Sequence, residues 1–251
     1  VKALLALSGS PAALIARSGL DLSRFGARYS HAAVALAEHR LAPWAVRQLY
    51  YACDEARPRL FDQGVAGFLL GTHDASRGHV SLLLLPPEAA APLAAAALDD
   101  GRARRLLGAT YSANAYAWAT VFQNCNQWVA ELLALAWAPA AAAVESRPQA
   151  QAWLRAAGYT PRPVRASPWL IAAGSVVPWV HTRDHPPGAR EAGVFEVSLP
   201  ESLEAFARQR WPGARRVELC HVGPRLVIRE DGPALTDDCE PAAGDTVVDL
   251  S

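Results

Sequence analysis

The chain has 251 residues, half of them hydrophobic, and 24 basic and 24 acidic side chains that balance to a formal charge of zero. That length can bury a sizeable core. A balanced surface has no field to concentrate nucleic acid, the densest basic run being Arg102-Ala103-Arg104-Arg105. No apolar run approaches the roughly 20 residues a helix needs to cross a bilayer, so no membrane span is expected.

In chain order, Val1 opens a sequence that contains no methionine, which reads as a processed or trimmed chain with any targeting peptide upstream. Lys2 followed by Ala3-Leu4-Leu5-Ala6-Leu7 resembles the end of a signal sequence. Residues 12–17 read as a first strand, and a second runs from His31 to Ala37. A loop, Glu38 to Pro43, turns the chain back into Trp44–Ala52, rich in β-favouring Val, Tyr and Trp. Residues 57–71 mix apolar residues with glycines and read as a short helix and loop. Val80–Leu85 reads as a buried strand stopped by Pro86-Pro87, and the alanine-rich stretch to Leu98 as a helix whose start Pro92 delays.

A helix from Asn124 to Trp137 is set by Trp128, Leu132 and Leu135 at helical spacing, and Pro139 stops it. Another spans Gln149–Ala157, ended by Gly158. Residues 160–190 carry six prolines and little periodicity, an irregular wrap. The remainder reads as a strand (Val194–Ser198), a helix (Glu201–Gln209), a hairpin (Val217–His221 with Arg225–Arg229) and a last strand (Thr246–Leu250). The fold class is therefore α+β, an antiparallel sheet with packed helices and a C-terminal extension, divided as residues 1–158 and 159–251.

The chemistry concentrates in Gln123-Asn124-Cys125-Asn126-Gln127-Trp128-Val129. A cysteine opening a helix meets first-turn N–H groups and the positive end of the macrodipole, both of which favour the thiolate. Asn124, Asn126 and Gln127 are candidate caps, oxyanion donors or ligand-binding groups, with Tyr29 upstream a further binding candidate. His31, entering a strand, is the candidate general base that takes the thiol proton and returns it to a leaving group. A third polar group has to orient the imidazole. Hairpin counting sets His31 near Tyr50 or Tyr51, and Gln48 is the chosen partner, with Asp54 beyond the strand and a solvent-facing Gln48 as alternatives.

Cys220 and Cys239 flank the terminal hairpin and are either a disulfide, which suits an exported protein, or two separate buried thiols. Cys53, beside Asp54-Glu55, reads as structural. His181-Thr182-Arg183-Asp184-His185 has metal-ligand residue types but reads as a solvated loop, so no metal and no cofactor is expected. Gly64, Gly67 and Gly71 match no phosphate-cradling loop.

His31 ahead of an apolar strand and Asn124-Cys125 at a later helix, in that order, resemble the circularly permuted NlpC-type papain fold. That group includes lecithin retinol acyltransferase and its relatives, whose cysteine also follows an asparagine. The resemblance covers residues 12–137 and implies Cys125 as nucleophile and His31 as base; this chain departs from the acyltransferase relatives in having no second histidine at their spacing. Four segments, Arg28–His31, Leu49–Cys53, Tyr111–Asn114 and Phe122–Val129, resemble more closely an uncharacterised bacterial family, a domain of unknown function, across most of the chain. That second resemblance implies export, periplasmic or otherwise.

The expected function is a cysteine-dependent hydrolase or acyl transferase acting on an amide, peptide or (thio)ester bond. Its substrate would be a peptide or acyl small molecule, cell-wall derived on the analogy of exported relatives. The competing expectation is a non-catalytic envelope binding or assembly module that keeps the scaffold, with Trp169 and Trp179 as candidate contact residues.

Overall fold

A computed structural model describes residues 1–72 and 74–250. In chain order the elements are α1 (Lys2–Leu7), β1 (Ala12–Arg17), β2 (His31–Leu36), β3 (Ala45–Ala52), β4 (Arg57–Gly64), α2 (Val65–Leu69), β5 (Arg77–Leu84), α3 (Pro87–Leu98) and α4 (Asp100–Arg105). There follow α5 (Cys125–Trp137), α6 (Arg147–Ala156), β6 (Arg162–Arg165), α7 (Pro168–Gly174), α8 (Ala189–Ala192), β7 (Val194–Val197), α9 (Pro200–Arg210), β8 (Arg215–Val222), β9 (Arg225–Glu230) and β10 (Thr246–Asp249).

Eight strands form one sheet in the order β10-β9-β8-β5-β1-β2-β3-β4, and every pairing in it is antiparallel. The fold is α+β, with helices packed on that sheet. The C-terminal strands complete this sheet, because β8 pairs with β5 along its whole length, from Arg77↔Val222 to Leu84↔Arg215. β6 and β7 make a separate two-stranded ribbon.

The central strands are apolar on both faces because both faces are covered. Ala12, Leu14 and Ala16 of β1 and Ala32, Val34 and Leu36 of β2 pack toward α3 and α5, while Ala13, Ile15, Ala33 and Ala35 pack with Leu5 of α1 and Phe68 of α2. This two-sided burial turns the usual in–out alternation into a continuous apolar run. α5 is the most enclosed helix: of Cys125–Trp137, only Ala136 is not buried. Burying each large apolar side chain such as Trp128, Leu132 or Leu133 is worth about 1.5–3 kcal/mol over leaving it exposed.

Three stretches differ from expectation. Residues 57–71, expected as helix and loop, form β4 and the short α2. Pro58 disguises the strand, but β4 is the sheet's outer edge, where a residue without an N–H is tolerated. The wrap over 160–190 contains β6, α7 and the start of α8, each only four to seven residues long and too short for a periodic signal. Pro92 does not delay α3, which starts at Pro87; Pro92 and Glu88, the residue whose carbonyl it leaves without an intrahelical donor, are both exposed to water.

Candidate active site

β2 and β3 pair only over Val34↔Arg47 to Leu36↔Ala45, and beyond that the two strands part. The N-terminus of α5 fills the gap and takes over the freed backbone groups of β2. Asn126 Oδ1 accepts from the N–H of Ala32 at 2.9 Å, and its Nδ2 donates to the carbonyl of Ser30 at 3.3 Å. One side chain of the first helical turn thus clasps the backbone on both sides of His31. Register is fixed at the point where it matters, since a one-residue slip of β2 would break both bonds.

The His31 imidazole is partly buried, and its Nε2 donates to Oε1 of Gln48. Extending the β2–β3 register puts Tyr50 opposite His31, so Gln48 reaches it from the diagonal position two residues earlier. With Nε2 carrying the proton, Nδ1 is the nitrogen left to accept one. The ring lies 5.8 Å from that of Phe68, and the Arg17 guanidinium sits over the Phe68 ring at 5.2 Å from its centre. Burial, then the charge of Arg17, pushes the imidazole pKa down to about 4, against the smaller lift from the Gln48 bond.

Cys125 is the first residue of α5, 6% exposed, with Asn126 Oδ1 3.6 Å from its Sγ. Its thiol differs from the expected thiolate. Burial pushes it up to about 11, outweighing the N–H groups of Asn126, Cys125 and Ala32 and the charge of Arg17, all of which favour the anion. A helix start lowers a thiol pKa only when the sulfur keeps enough polar surroundings to compensate for lost water. Burial thus favours the neutral form of the Cys125 thiol and of the His31 imidazole alike. Tyr111 has its own pKa held well above the usual phenol value by burial and then by the nearby Cys125 and Tyr51.

The other candidates divide by what they touch. Asn124 is a cap: Oδ1 accepts from the Gln127 N–H at 2.7 Å, while Nδ2 donates to the carbonyls of Ala113 and Ser198. Gln127 Nε2 donates to the carbonyls of Tyr116, Ala117 and Ala119, which anchors that loop. The Asn124 amide is fully used, whereas Gln127 Oε1 is buried with no hydrogen-bond partner among the described residues. Tyr29 is buried in the same core cluster as Cys125, and its hydroxyl donates to Glu218 of β8. Cys53, read as structural, is exposed on the β3–β4 turn. Cys220 and Cys239 are joined as a disulfide.

Residues 175–185 pack against the loop that feeds α5. His181 N–H donates to Ser112 Oγ at 2.9 Å, Asp184 Oδ2 accepts from Tyr116 N–H at 2.8 Å, and His185 Nε2 bonds the Asn114 carbonyl at 2.7 Å. The expected solvated loop is therefore a brace, with His185 buried between the rings of Tyr116 and Phe195. Beside it Tyr51 stacks on Tyr111 at 4.9 Å and lies 6.3 Å from the exposed Trp179, an aromatic rim at the splayed end of β3.

Sequence reasoning missed the group that fixes the loop from below. Glu131 of α5, fully buried, accepts from Arg147 Nε at 2.9 Å, Gln151 Nε2 at 2.8 Å and Gln123 Nε2 at 2.6 Å. Arg147 also donates to the carbonyls of Thr120 and Phe122. A glutamate amid the apolar residues of a fully buried helix was the available signal.

The first turn of α5 thus holds a buried cysteine beside Asn126, whose amide is bonded to the backbone on both sides of His31, and the His31 ring is bonded to an amide on the next strand. Over residues 4–207 the chain matches the model of a family described as "Uncharacterized protein conserved in bacteria (DUF2145)", and it belongs to that family. No curated protein and no solved structure matches it.

Proposed function

We propose that the chain is a cysteine-dependent enzyme of the permuted papain-like kind, hydrolysing or transferring the acyl group of an amide, with a peptide as substrate class. Cys125 attacks the carbonyl, His31 Nδ1 takes the thiol proton and returns it to the leaving amine, and Gln48 fixes the ring. The N–H groups of Cys125 and Asn126 hold the oxyanion. The observation that carries the reading is the clasp of Asn126 on both sides of His31, which ties base and nucleophile to one rigid unit. Because thiol and imidazole rest neutral, proton transfer accompanies attack and is driven by the bound carbonyl. The aromatic rim of Tyr51, Tyr111 and Trp179 supplies apolar surface for peptide side chains. The disulfide supports an exported, oxidising location such as the periplasm.

A second reading has its own support. The burial of Cys125 and its raised pKa suit a non-catalytic envelope binding or assembly module on the same scaffold. Incubation with peptide acyloxymethyl ketones, which alkylate a sulfur only when a neighbouring base activates it, separates the two. Labelling at Cys125 that is lost in His31→Ala supports the enzyme. Labelling confined to the exposed Cys53, with the chain folded, overturns it.

A further inference from the structure

On the far side of β5 from β1, three side chains converge that the proposed reaction does not use. His79 of β5 and Cys220 of β8 are register partners, and the His79 Nε2 lies 2.9 Å from the Cys220 sulfur. Cys239 arrives from the loop after β9, anchored by its N–H to the Thr236 carbonyl at 3.1 Å. The imidazole nitrogen and both sulfurs lie within 4.8 Å of one another, and all three residues are buried. Ligands of a tetrahedral zinc ion at about 2.0–2.3 Å from the metal stand roughly 3.3–3.8 Å apart, so binding needs the two sulfurs to separate and the imidazole to draw back by a few tenths of an ångström from Cys220.

The contact is poorly explained by the disulfide alone. A disulfide sulfur is a weak acceptor, and the imidazole's other partner, the Thr236 carbonyl, is 3.3 Å away. His79 also lines a cavity of about 590 Å³, together with Ser18, Arg28, Asp74, Arg77 and Asp237. That cavity reaches the imidazole, which gives an ion a route to His79 and a water a place at the fourth position, as an open zinc site requires.

We infer that His79, Cys220 and Cys239 form a binding site for a zinc-type divalent cation, of which the disulfide is the oxidised, empty form. The interconversion balances: a dithiol reductant gives two electrons and two protons to the S–S bond and becomes a cyclic disulfide. The cation then displaces the two thiol protons to water and binds two thiolates and the imidazole. The inference does not depend on Cys125 or His31.

The full chain, reduced by a dithiol under argon and freed of reductant, is titrated with Co²⁺ and then Zn²⁺, with near-ultraviolet circular dichroism recorded throughout. The expected result is one equivalent of Co²⁺ bound with thiolate-to-metal absorption that Zn²⁺ abolishes. Cys220→Ser should remove the signal and His79→Ala should weaken binding about tenfold or more. A double variant, Cys53→Ser with Cys125→Ser, should bind as the unaltered chain does. Absence of uptake by the reduced chain, folded or not, overturns the inference. So does uptake that survives Cys220→Ser or disappears in the double variant.

Discussion

The His31 ring nitrogen Nε2 donates to Oε1 of Gln48 across the gap left where β2 and β3 part. The bond fixes both tautomer and ring plane, so Gln48→Ala frees the ring of the proposed base to turn. Turnover of an amide substrate should fall by about 10²-fold, within the range a positioned base contributes, with little change in KM. Gln48→Glu places a carboxylate beside the ring and should raise the imidazole pKa from about 4, read by NMR titration.

The two depressed ionisations predict a stability plateau. His31 falls to about 4 on folding, so between that value and its unfolded value of about 6.5 the unfolded chain binds the extra proton, and stability is lost as pH drops through that window. Cys125 rises to about 11, so above its ordinary value the unfolded chain releases a proton the folded one keeps, and stability is lost as pH climbs. Each shift corresponds to about 3 kcal/mol at most. Urea unfolding from pH 4 to 11 should show the acid-side slope flattened in His31→Gln and the alkaline-side slope flattened in Cys125→Ala; unchanged slopes would refute the assignment.

Glu131 and Arg147 hold the loop that ends at Cys125. Arg147→Met leaves a buried carboxylate unpaired and should cost about 3–5 kcal/mol, while Glu131→Gln with Arg147→Met together should recover part of that loss. Denaturant midpoints of the two single variants and the double variant give the coupling directly.

Much of this architecture was readable from residue order. The apolar runs of β1, β2 and β5 and the spacing of Trp128, Leu132 and Leu135 state their burial openly. Asn124 ahead of Cys125 signals a helix start, and it caps one. What stayed hidden depends on neighbours distant in sequence. β4 hides behind Pro58 because only its edge position makes that proline harmless. The brace at 175–185 acquires order from Ser112, Asn114 and Tyr116, about 70 positions earlier. The thiol's high pKa reflects burial by elements distant in the chain, which local sequence does not encode.

The pairing of β5 with β8 has a consequence for synthesis. Strands joined across more than 130 residues cannot meet until nearly the whole polypeptide has emerged, so β5 waits with a bare edge rich in Val and Leu. A chain cut at residue 207, where the family match ends, would keep that edge uncovered for good and should self-associate through it. Any attempt to produce the shared region by itself therefore has to carry the later strands along.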